Sequence, residues 1–104
     1  MAEFVKVGKA SDIAEGSALA VEAKGRELAL FKLEGQIYCL ADLCTHEDAP
    51  LCEGYIEGGE IECPWHGARF DIKTGAVTEG PAVVPVPTYP VRVSGDDVEV
   101  ELED

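Results

Sequence analysis

The chain has 104 residues, 46% hydrophobic and 28% charged, the balance of one soluble domain with a modest core. A formal net charge of -13 excludes the basic face that a nucleic-acid binder needs, and no apolar run approaches the roughly 18 residues that span a bilayer. Met1-Ala2-Glu3-Phe4-Val5-Lys6 has no basic region followed by a long apolar stretch, so no secretion signal is read and a cytoplasmic protein is expected.

From the N-terminus, residues 4–7 predict a short strand and residues 11–16 a single helical turn ended by Gly16. Strands are predicted over 18–21 and 28–33, parted by a turn at Lys24-Gly25. A second turn at Glu34-Gly35 returns residues 36–40 as a hairpin mate. Residues 42–81 are turn-rich, with Gly54, Gly58-Gly59, Gly67 and Gly75, and hold short strand candidates at 61–63 and 69–72. Gly80-Pro81, Pro85, Pro87 and Pro90 exclude helix and disfavour a central strand. Residues 91–93 and 98–102 form a last hairpin in which Val98, Val100 and Leu102 share one face. The expected fold is all-β: an antiparallel β-sandwich or barrel base with a loop-built metal subdomain at about 42–81, within one domain of residues 1–104.

Chemistry concentrates in two short segments. Cys44-Thr45-His46 is followed, sixteen residues later, by Cys63-Pro64-Trp65-His66, and these hold the only two histidines of the chain. Two thiols and two imidazoles suit tetrahedral zinc. Zinc fingers, however, usually place both cysteines before both histidines, with a helix under the second pair, and no helix is predicted here. A blue copper site wants a weak axial ligand, often methionine, and Met1 is the only one. A two-iron, two-sulfide cluster fits better. Cys39 and Cys52 are left over and read as small apolar residues, because a chain without a signal peptide gives little reason to expect disulfides.

The paired C-x-H and C-x-x-H segments resemble the signature of Rieske iron–sulfur proteins. The stretch from Cys63 to Gly75 is especially similar to the Rieske ferredoxins of bacterial aromatic-ring dioxygenase systems, and the likeness in length and element order runs from Phe4 to Leu102. The resemblance implies the Rieske fold and one [2Fe–2S] cluster, with Cys44 and Cys63 on one iron and His46 and His66 on the other. Neutral imidazoles leave the oxidised cluster two charges less negative than four thiolates would, so it accepts an electron more readily. Ligation of this kind also predicts a midpoint potential that falls at alkaline pH, where reduction takes up a proton. High-potential members carry two further cysteines that form a disulfide across the loops. The corresponding positions here are Pro64-Trp65 and a site near Ala49. They also carry serine and tyrosine hydroxyls where this chain has Ala68 and Phe70, so the low end of the Rieske range is expected.

The resemblance implies an electron carrier rather than an enzyme. No histidine remains for the mononuclear iron of an oxygenase, and no dinucleotide fingerprint marks a reductase. Its partners would be an NAD(P)H-dependent flavin reductase as donor and a terminal aromatic-ring dioxygenase as acceptor, in aromatic hydrocarbon catabolism. The rival readings are a Rieske-like small subunit of nitrite reductase and a structural zinc-binding module. Between Lys32 and Arg69 there is no lysine or arginine, while Glu34, Asp42, Glu47, Asp48, Glu53, Glu57, Glu60 and Glu62 fall there. That stretch is either a solubilising surface or a negative face steering a positively charged partner.

Overall fold

The computed structural model describes residues 3–42, 51–64, 67–80 and 85–102. Within them lie β1 (Glu3–Lys9), β2 (Ala18–Ala23), β3 (Arg26–Leu33), β4 (Gln36–Ala41), β5 (Tyr55–Glu57), β6 (Glu60–Glu62), β7 (Arg69–Asp71), β8 (Val77–Glu79), β9 (Thr88–Tyr89), β10 (Val91–Ser94) and β11 (Asp97–Leu102). All pairings are antiparallel, in three sheets ordered β1-β11-β10, β2-β3-β4-β9 and β5-β6-β7-β8.

The middle sheet owes its position to β3. Its run Leu28-Ala29-Leu30-Phe31 is buried at every residue, and alternate side chains serve different cores. Leu28 and Leu30 join Ile13, Cys39, Val98, Val100 and Leu102 in the core shared with the β1-β11-β10 sheet. Ala29 and Phe31 join Leu40, Leu51, Ile61, Cys63, Phe70 and Ile72 in the core shared with the β5–β8 sheet. β11 alternates as expected, with Val98, Val100 and Leu102 inward and its acids half-buried. The β2–β3 and β3–β4 turns place Lys24-Gly25 and Glu34-Gly35 at positive φ, the pattern of type I′ turns. The Glu15 carboxylate accepts the amides of Glu34 and Gly35 at 2.7 and 2.9 Å, which clamps the second turn.

The turn-rich subdomain carries more strand than its sequence shows, since the four-stranded β5–β8 sheet lies within it. Sequence reading found β6 and β7 but missed β5, β8 and β9, which are only two or three residues long. In place of a helical turn over 11–16 there is a 3-10 turn at Ala10–Asp12, where the Asp96 carboxylate accepts the amide and hydroxyl of Ser11. The Gly16 amide then bonds the Lys32 carbonyl at 2.8 Å instead of closing a helix. The proline reading holds: β9 sits between Pro87 and Pro90 at the edge of its sheet, where a missing N–H costs least.

Candidate metal centre

Of the four ligands expected from sequence, Cys63 lies among the described residues; Cys44, His46 and His66 do not, nor do Thr45, Ala49, Trp65 and Pro81. No group of three or more metal-ligating side chains occurs among the described residues.

Cys63 directly follows β6 and is 1% exposed, packed with Ala68, Phe70 and Leu51. Its amide donates to the Ala68 carbonyl at 2.7 Å, extending the β6–β7 ladder one step beyond both strands. The Gly67 amide returns to the Cys63 carbonyl at 3.3 Å. These bonds close the base of the β6–β7 hairpin at Cys63, Gly67 and Ala68. This is a thiol presented from a rigid, dry support, as a cluster ligand requires. Ala68 and Phe70, both fully buried beside it, bring no hydroxyl to that wall. A buried thiol in this setting is chemically suited to ligate one iron of a [2Fe–2S] cluster.

Two contacts brace the support. A Cβ on Gly75, which has φ +76, would stand 2.1 Å from the Val86 carbonyl oxygen. Only glycine lets the 85–87 segment close on the subdomain there, and the Val86 amide bonds the Gly75 carbonyl at 2.9 Å. Arg69 draws the acids together. Its guanidinium lies 3.0 Å from Glu62, 3.4 Å from Glu60, 3.7 Å from Glu79 and 4.0 Å from Glu57. Hydrogen bonding to Glu62, then to Glu60, raises its pKa further above its ordinary value. The acidic stretch is thus less uniform than the sequence suggested, since Asp42 is buried and Glu60 and Glu62 are paired.

The spare cysteines have separate fates. Among the described residues Cys39, Cys52 and Cys63 are free of disulfides. Cys39 points from β4 into the core on the opposite side of the middle sheet from Cys63, and burial pushes its thiol up to about 12. Cys52 is half-buried and not merely apolar: its thiol donates to Asp42. Burial, and then that carboxylate, push it up to about 12. Sequence reading missed this pair because nothing in the spacing of Asp42 and Cys52 marks it.

The model of the Rieske [2Fe-2S] domain matches residues 3–90. The ferredoxin component of the naphthalene 1,2-dioxygenase system of Pseudomonas putida is 43% identical over 100 residues, 96% of each chain. A solved complex of reduced oxygenase and oxidised ferredoxin in carbazole 1,9a-dioxygenase contains a chain 38% identical with a TM-score of 0.88, covering 93% of this chain and 91% of that one. The putative NADH-dependent nitrite reductase small subunit from Mycobacterium tuberculosis superposes with a TM-score of 0.86 over 100% of this chain and 98% of that one, but at 21% identity this is likeness of fold alone. The match to that domain and to these ferredoxins defines the class, an iron–sulfur electron-transfer protein. The chain belongs to the Rieske [2Fe–2S] family, carries one such cluster and is an electron carrier rather than an oxygenase. The zinc-module reading falls with that match.

Proposed function

We propose that the chain, as one Rieske domain over residues 1–104 with its cluster subdomain at about 42–81, carries single electrons in the cytoplasm from an NAD(P)H-dependent flavin reductase to a terminal aromatic-ring dioxygenase. Cys44 and Cys63 hold one iron in this reading, and His46 and His66 the other. When bound, the cluster supplies a centre that takes up one electron and gives it back.

The chain's own residues do the rest. The two neutral imidazoles keep the ligand set two charges short of four thiolates, which favours uptake of the electron. Cys63 is shielded from water by burial, and the Cys63–Ala68 bond fixes its place at the base of the β6–β7 hairpin. Ala68 and Phe70 withhold the hydroxyl donors that would raise the potential, which suits a carrier feeding an oxygenase better than one fed by a quinol.

The observation that carries the reading is 43% identity across 96% of a naphthalene dioxygenase ferredoxin, aligned end to end. The carbazole dioxygenase complex supports the acceptor side, because its ferredoxin resembles this chain over nearly its full length. The test is reconstitution. Purified holoprotein, mixed with NADH, the flavin reductase and the terminal oxygenase of a naphthalene dioxygenase system lacking its own ferredoxin, is expected to restore product formation. Reduction by the reductase with no electron reaching the oxygenase would contradict the acceptor assignment. No reduction at all would contradict the donor.

A further inference from the structure

Asp42 directly follows β4 and precedes the 43–50 segment, and Cys52 lies in the 3-10 turn Leu51–Glu53 immediately after it. Asp42 is 8% exposed and the one buried charged side chain among the described residues. Both of its oxygens are engaged by the same residue: Oδ1 accepts the Cys52 amide at 2.8 Å, and Oδ2 accepts the Cys52 thiol at 3.2 Å.

Each end of this bridge is itself anchored. The Asp42 amide donates to the Glu27 carbonyl at 3.0 Å, on β3. On the other side Leu51 is fully buried, and the Gly54 amide returns to its carbonyl at 2.9 Å. Gly54 sits so close to the Glu62 carbonyl that a Cβ would stand 2.0 Å from its oxygen, and Glu62 is the residue before Cys63. The bridge therefore joins the base of the 43–50 segment to the strand end that presents Cys63. A carboxylate placed this deep with two specific donors is costly to leave half-satisfied, so the contact holds its geometry.

We infer that Asp42 is a positioning residue: its bridge to Cys52 ties together the two residues that flank the 43–50 segment, which bears Cys44 and His46, and so supports retention of the cluster. The inference rests on the ligand assignment proposed above. It gives Cys52 a role as a permanent hydrogen-bond donor rather than a nucleophile or ligand, in keeping with a thiol that stays protonated at working pH.

The experiment uses holoprotein of wild type, Asp42→Ala, Cys52→Ala and Cys52→Ser. Iron loss to a colorimetric chelator is timed, and the electron paramagnetic resonance spectrum of the dithionite-reduced protein is recorded. Removing an outer partner of a metal ligand typically weakens metal retention on the order of 10- to 100-fold. Asp42→Ala and Cys52→Ala are expected to speed iron loss on that order and to shift the g-values. Cys52→Ser, which keeps a hydroxyl donor for Oδ2, is expected to restore both. Val98→Ala, in the far core, is the control: it lowers the thermal midpoint but leaves the g-values in place. If Asp42→Ala does not fold, the Cys52→Ser and Cys52→Ala pair decides alone. Equal behaviour of those two overturns the inference, as does wild-type iron retention in Cys52→Ala. A Cys44→Ala variant separates the two levels. An intact cluster spectrum there would sink the ligand assignment, whereas its loss with normal Cys52→Ala protein would sink only the role of Asp42.

Discussion

Cys39 and Cys63 are two buried thiols with different tasks, and the difference is which side of the middle sheet each faces. Cys39 stands among Leu28, Leu30 and Val98, away from the cluster subdomain, with its thiol pushed up to about 12 by burial. It should stay unmodified by iodoacetamide at pH 8 in native protein and react only after unfolding, as read by mass spectrometry; labelling in the native state would contradict its placement. Cys44 and Cys63 stand out in the sequence because each is paired with a histidine in a short motif. Cys39 and Cys52 were not separable, because burial direction and a partner ten residues away in sequence leave no mark on spacing. The acids are unevenly disposed for a related reason: composition counts charges, but Arg69 gathers four carboxylates around its single positive charge.

Strands with a long apolar or alternating pattern were read correctly, and β3, β4 and β11 match to within two residues. β5, β8 and β9 carry two or three residues each, too few for a period to register, and exist because neighbours supply the ladder. Their dependence on tertiary contact makes the Gly75 junction sensitive. Gly75→Ala meets the Val86 oxygen and an unfavourable φ, and should destabilise the protein by about 1–3 kcal/mol in urea titration; a neutral effect would contradict the close approach. The Glu15 clamp gives a pH signature. The amides of Gly35, then Glu34, hold its pKa below the ordinary value of 4.5, so its stabilisation is present above that pH and is lost as the pH falls through the folded value. Wild type should melt above Glu15→Gln at pH 7, and the gap should close in acid once the pH falls below the folded pKa. A gap that persists in acid would contradict the clamp.

For the molecule as a partner in electron transfer, charge is the variable to test. With a net charge of -13 and Glu57 and Glu79 exposed near Arg69, encounter with a basic surface should weaken with salt. The rate of reduction by the flavin reductase should fall several-fold between low salt and about 0.5 M, in stopped-flow traces of the visible band. A flat rate would leave the acids a role in solubility alone. Beneath these expectations lies the claim that two imidazoles and two thiolates share one diiron core. Electron–nuclear double resonance on the reduced protein tests it most directly. Strong couplings from two distinct nitrogens are expected, with one set lost or altered in each of His46→Cys and His66→Cys; a reduced cluster with no strongly coupled nitrogen would contradict it.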